Sequence, residues 1–170
     1  MPKRALLAGL FMFPLLCGAQ TSDSYSCDKV SEHRQFDFWL GEWQVTDEAG
    51  TKVYGNNSIT RGADGCLMME NYTSVEGFTG SSLNYYDPSS GQWHQQWVDN
   101  GSSIIRLAGA RDGSAMRLEG TIYYLATGEA APLRGIWTPL EDGRVRQFFE
   151  QENEDGEWVA WFDGYYQRKP

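Results

Sequence analysis

From Trp43 onward a turn signal recurs about every ten residues. The signals are DEAG at 47–50, ADG at 63–65, EG at 76–77, DPSSG at 87–91, DNG at 99–101, RDG at 111–113, EDG at 141–143 and EDG at 154–156. Asp-Gly and Asn-Gly tolerate the positive φ angles of tight hairpins. Between them lie short runs rich in Val, Ile, Thr, Tyr, Phe and Trp, residues that suit a half-buried pleated surface. This punctuation requires no long helix. It predicts ten strands, at 42–47, 51–61, 66–75, 79–86, 92–98, 103–110, 114–124, 132–139, 143–151 and 157–168. Many evenly spaced antiparallel strands read as a sandwich or a barrel. Closing them into an up-and-down barrel removes the exposed edges of a ten-strand meander. The expected fold is therefore all-β, an antiparallel up-and-down barrel of about ten strands, wide enough to hold a small molecule.

Side chains alternate along a strand, so each run splits into two faces. QWHQQWV gives Trp93, Gln95 and Trp97 on one face and Gln92, His94 and Gln96 on the other. The first set is read as inward, because two exposed Trp rings would leave much apolar area in water. The same division groups Ser82, Asn84 and Tyr86; Met68, Glu70 and Tyr72; and Val145, Gln147 and Phe149. Glu70, Asn84, Gln95 and Gln147 thus share faces with large apolar residues. A dry core rejects such groups, since an unpaired buried polar group costs about 1–3 kcal/mol. A partly polar, wet cavity accepts them, and this is the sequence's main argument for a ligand site.

FDFWLGEW, residues 36–43, precedes the first strand. Ser26 or Asp28 can cap a short helix that carries Val30, His33 and Phe36 on one side. Gly41 ends it. The segment is read as a plug across one barrel end, with Trp39 and Trp43 packed over the floor and Phe36 and Phe38 locking the helix.

The chain starts with Lys3 and Arg4, an apolar run from Ala5 to Leu16, and Cys17-Gly18-Ala19. That is the layout of a cleaved secretory signal over 1–19; Cys17 after Leu15-Leu16 also offers a lipidation site. Residues 20–30 are expected to be a flexible leader and 31–170 a single barrel domain, with no membrane span left after cleavage. Removing Lys3 and Arg4 takes the 14 basic residues to 12 against 23 acidic ones, a net charge of −11. Such a balance argues against nucleic acid, which is held by basic contacts to phosphate, and against an anionic lipid surface. Cys27 and Cys66 remain. In an exported chain, an even pair without metal-ligand spacing reads as one disulfide. The expected location is the periplasm or the exterior.

Little catalytic chemistry is written in the chain. It has no Gly-x-Ser-x-Gly elbow, phosphate loop or dinucleotide glycine pattern. Its two histidines, His33 and His94, lie on different elements with no His or Cys beside either, so neither metal nor other cofactor is expected. His94 falls with the outward set. Glu70, after three apolar residues, is the one carboxylate placed to act as a buried acid or base. Arg134 in RGIW and Arg106 in IIRLAG sit in apolar strands, where an inward guanidinium would clamp a carboxylate.

HRQFDFWLGEW, GCLMMENYTSVEGFTGSSLNYYDPSSGQWHQQWVDN, WTPLEDGRVRQFFEQ and FDGYYQRK together resemble a group of exported bacterial proteins described as lipocalin-like. The resemblance spans nearly the whole chain beyond the signal. It implies a calycin-type barrel with a short N-terminal helix, and Gly41-Glu42-Trp43 is similar to the Gly-x-Trp that marks its first strand. It brings no catalytic residues. Nitrobindin barrels of this type hold heme through a C-terminal His, and no His follows His94 here. Fatty-acid-binding relatives use an inward Arg, a part that Arg134 or Arg106 would take.

The expected function is binding of a small, partly apolar molecule. Trp93, Trp97 and Trp137 would wall the site, Asn84, Gln95 and Gln147 would make hydrogen bonds, and Glu70 and Arg134 would set its polarity. Two rivals stand beside it. One is a small-molecule enzyme with Glu70 as base; the other is a filled barrel that meets an envelope partner through Tyr165-Tyr166.

Overall fold

The computed structural model describes residues 25–169, so the signal expected over 1–19, with Cys17, lies outside the described residues. Ten strands form: β1 Gly41–Thr46, β2 Val53–Gly62, β3 Leu67–Ser74, β4 Thr79–Asp87, β5 Gln92–Asp99, β6 Ser103–Asp112, β7 Ala115–Tyr124, β8 Ala130–Pro139, β9 Val145–Glu152 and β10 Trp158–Arg168. Each pairs antiparallel with its neighbours in sequence, and β1 pairs with β10, Trp43 opposite Arg168, to close the barrel. Every strand lies within two residues of its expected bounds. Glycines at the turn signals, such as Gly113 at φ 61° and Gly143 at φ 85°, supply the left-handed backbone. Among the described residues no helix is long and apolar enough to cross a membrane.

The two faces separate as period-two alternation requires. Met68 and Glu70 in β3, Ser82 and Asn84 in β4, Trp93 and Gln95 in β5, and Val145, Gln147 and Phe149 in β9 are buried. The intervening residues look outward. His94 is one of them, stacked on Tyr85 of the neighbouring strand at 5.3 Å.

The segment before β1 is three 3-10 turns rather than one helix: Cys27–Lys29, Ser31–Arg34 and Asp37–Trp39. Val30 is extended (φ −102°, ψ 118°) and Phe36 also leaves the helical region (φ −103°, ψ 8°), so each break resets the chain direction. No side chain caps any of the three turns. Tertiary contacts hold them instead. Phe36 stacks on Trp39 at 5.1 Å and meets Trp93 and Trp137 edge-on at 5.6 and 5.3 Å. Trp93 Nε1 donates to the Glu32 carbonyl at 3.2 Å. Gly41 does not end a helix but opens β1 at φ +139°, where a Cβ would collide with the Arg168 guanidinium. That guanidinium covers the Trp43 ring at 4.4 Å, and Trp43 Nε1 donates to the Trp39 carbonyl at 2.8 Å. FDFWLGEW is a floor: Phe36, Trp39 and Trp43 are fully buried.

Cys27 and Cys66 are bridged, with Cα atoms 5.0 Å apart, and stand 39 positions apart in sequence. The bridge ties the first 3-10 turn to the β2–β3 connection. The plug therefore closes the end where the β2–β3, β4–β5, β6–β7 and β8–β9 connections lie. The opposite end carries the other five.

Candidate functional site

Above the aromatic floor, a belt of hydrogen-bonded polar side chains runs along the inner wall, drawn from six strands, β5 to β2 on one side of β1 and β10 and β9 on the other. Gln95 Nε2 (β5) donates to Asn84 Oδ1 at 2.9 Å, and Asn84 Nδ2 (β4) donates to Ser82 Oγ at 2.8 Å. Ser82 donates onward to Glu70 Oε2 (β3) at 2.6 Å. Asn57 Nδ2 (β2) donates to Glu70 Oε1 at 2.7 Å and to the Tyr166 hydroxyl (β10) at 3.3 Å. Tyr166 donates to Gln147 Oε1 (β9). All seven residues are buried. Such a network is tolerable because its members satisfy most of one another's donors and acceptors; Asn57 Oδ1 is the exception, without a partner among the described residues.

Glu70 is its only carboxylate, and it faces no cation: it takes part in none of the ion pairs formed among the described residues. Desolvation by burial, opposed by the hydrogen bonds from Ser82 and Asn57, raises its pKa to about 7. Burial, with the neighbouring Glu70 charge, also pushes the Tyr166 hydroxyl well above its ordinary value.

The belt is the bottom of a cavity of about 430 Å³. Glu70, Gln95, Gln147 and Tyr166 reach it from below. Its walls are largely aromatic: Tyr72, Trp97, Phe149, Trp161 and Phe162, with Ile105 between them. A register shift between Ala160 and Phe162 makes a bulge in β10. The bulge brings Trp161 to the mouth beside Phe162, where its ring stacks on Phe149 at 6.1 Å. Asp99 holds the rim. Its part burial opposes ionisation, but bonds from the Ser103 and Ser102 backbone, the Ser103 hydroxyl and Trp97 Nε1 outweigh that and bring its pKa down to about 2. Among the described residues no three His, Cys, Asp or Glu side chains converge as metal ligands would.

Glycines keep the walls thin. A Cβ at Gly80 would strike the Trp97 indole, and one at Gly135 the Phe149 ring, so each ring lies flat over a neighbouring backbone. Gly80→Val is therefore expected to push Trp97 into the cavity. Its signature is a shift in Trp97 fluorescence and at least a tenfold loss of affinity for any cavity probe, in a protein that still unfolds cooperatively.

Of the eight residues expected at a ligand site, Glu70, Trp97, Gln95 and Gln147 line the cavity. Asn84 stands one bond behind Gln95. Trp93 and Trp137 face inward but lie lower, in the aromatic floor against Phe36. Arg134 is on the outer face, because it alternates with buried Leu133, Gly135 and Trp137. There it donates to Glu150 at 2.8 Å and covers the Trp158 ring at 4.2 Å. Arg106 is likewise outside, over Tyr123 at 5.4 Å. An inward arginine clamp is thus corrected on both candidates. The Tyr165-Tyr166 surface is corrected too: Tyr166 is in the belt, and Tyr165 is buried beneath Arg144 and Arg146. Phe162 and Tyr166 were missed, although alternation through FDGYY from inward Gly164 places both inside; Trp161 depends on the bulge and carries no such signal. Asp99 was hidden in a turn motif.

No protein-family model matches the chain, and no curated protein sequence matches it.

Proposed function

We propose that the chain is an exported, lipocalin-like carrier that binds a small, partly apolar molecule in the barrel cavity. The observation that carries this reading is the cavity itself: aromatic walls above a polar floor whose hydrogen bonds are made within the protein. Binding pockets combine these features, a mostly apolar lining with a few convergent polar groups. The resemblance to exported bacterial lipocalin-like proteins and the Cys27–Cys66 bridge support the same reading, since disulfides persist outside the cytoplasm. A filled barrel would have no such space, so a partner-only role is the weaker account.

Native mass spectrometry of the protein taken from its own envelope fraction tests this directly. A reproducible extra mass, lost on denaturation, is expected. The covalent mass then reports cleavage of the signal and the state of Cys17. Trp97→Ala is expected to lower retention of that mass at least tenfold while cooperative unfolding persists. Unchanged retention in the folded variant would remove the cavity from the account.

A further inference from the structure

The cavity's charge is one-sided. It is lined by Glu70 at the bottom and Glu76 and Asp99 toward the mouth, and among the described residues no Lys, Arg or His lines it. Glu70 is 3% exposed and accepts only two hydrogen bonds, whereas a carboxylate offers about four acceptor positions. Asn57 Oδ1 beside it, equally buried, has no hydrogen-bond partner. Among the described residues, donors therefore leave acceptor capacity open at this point, and no cation neutralises it. The walls add Tyr72, Trp97, Phe149 and Phe162, whose π faces attract a cation. The mouth extends the pattern. The five connections at the open end, 47–52, 75–78, 100–102, 125–129 and 153–157, carry seven carboxylates and one base, Lys52. The four at the plugged end, 63–66, 88–91, 113–114 and 140–144, carry three carboxylates and one base, Arg144, whose guanidinium reaches up the outer wall to the Glu48 carbonyl at 2.8 Å. A field of one sign over a cleft concentrates ligands of the other sign there.

We infer that the cavity takes an organic cation, an amine on an apolar body, with its ammonium on Glu70 and its body against the aromatic wall. This rests on the cavity-binding reading above and names the ligand class for it. An ammonium N–H set supplies donors for the open acceptor positions of Glu70, which lines the cavity. The apolar body covers Trp97, Phe149 and Phe162. An anionic ligand such as a fatty acid would instead meet three carboxylates and no cation.

The pairing also sets a pH dependence. Around Glu70, the facing groups are Tyr166 from β10 and Tyr72 on its own strand; Asn57 of β2, Ser82 of β4 and Gln147 of β9 do not titrate. Across the cavity lie Asp99, ionised throughout, and Glu76. Glu70 is therefore the group that gains charge near neutrality. Amine affinity is expected to rise about tenfold from pH 6 to pH 8, as Glu70 ionises while an alkylamine stays protonated.

Calorimetric titration of the full, disulfide-bonded chain with 4-phenylbutylamine, 4-phenylbutanol and 4-phenylbutyrate at pH 8 decides the matter, because the three share one body. The amine is expected to bind at least tenfold tighter than the alcohol, and the carboxylate weakest. In Glu70→Gln the amine's advantage over the alcohol is expected to vanish, along with its pH dependence. Alcohol or carboxylate binding as tight as the amine would overturn the charge assignment and leave the cavity reading standing. No binding of any of the three at millimolar concentration would overturn both. The comparison among probes uses the unaltered protein, so it holds even if the Glu70 variant folds poorly.

Discussion

At pH 8, Glu70→Gln is expected to be more stable than the unaltered protein by about 3 kcal/mol, whereas near pH 4.5 the two should be alike. The sign follows from linkage. The pKa of Glu70 rises from 4.5 to about 7 on folding. Between those values the native state holds a proton that the unfolded chain has lost, so native stability falls as pH rises. The contribution is intact below 4.5 and gone above 7. A rise of roughly 2.5 units at about 1.4 kcal/mol each gives the magnitude. Glutamine keeps the shape and cannot ionise. Asn57 and Ser82 can keep one acceptor, and Asn57 Oδ1, now unpartnered, can take the new amide N–H. Urea unfolding at the two pH values measures the difference; the acidic surface adds a slope of its own, but it is common to both proteins. Equal slopes would mean that Glu70 is not desolvated. A neutral amide at this position would be the stable choice for a core, so a carboxylate there costs stability. Such costs gather at binding and catalytic sites. The same substitution is expected to erase amine preference, which ties the instability to the ligand.

Period-two alternation made the strands and their faces legible, and it would have made more legible still. Arg134 and Trp137 are three positions apart, so they cannot both point inward; buried Trp137 puts Arg134 outside. The apolar company of RGIW suggested otherwise, but neighbours along a strand belong to opposite faces. Depth is a different matter. Trp93 and Trp97 share a face, yet Trp93 belongs to the floor and Trp97 to the cavity wall. The height of a residue in a barrel depends on strand tilt and stagger, which local pattern does not carry. The plug was legible as a function of FDFWLGEW and not as a helix. Its form depends on where the bridge and the aromatic floor pull it, and three short turns satisfy those anchors better than a continuous helix. The belt was visible only as an excess of polar residues on inward faces; which residue bonds which follows from strand register.

Removing the bridge with Cys27→Ala and Cys66→Ala together is expected to cost about 4 kcal/mol, the chain-entropy value for a loop of this length. The surface ion pairs that accompany the bridge cannot replace it. Arg34 reaches Asp28 at 3.2 Å and Asp37 at 2.7 Å, and Arg61 also meets Asp37. Pairs of this exposure contribute about 0–1 kcal/mol each. The aromatic contacts are another matter. Phe36 and Trp39 share their burial with Trp93 of β5, Trp137 of β8 and Tyr166 of β10. The plug therefore cannot leave without opening the barrel floor, and the belt beneath the cavity would then face water. Urea unfolding of the double variant should accordingly show one transition, shifted to lower denaturant, for both far-ultraviolet and tryptophan signals. Two separated transitions would show a plug that folds apart from the barrel and a bridge whose role is local. A single one means that the bridge, sited at the plugged end, stabilises the cavity at the other by holding its floor in place.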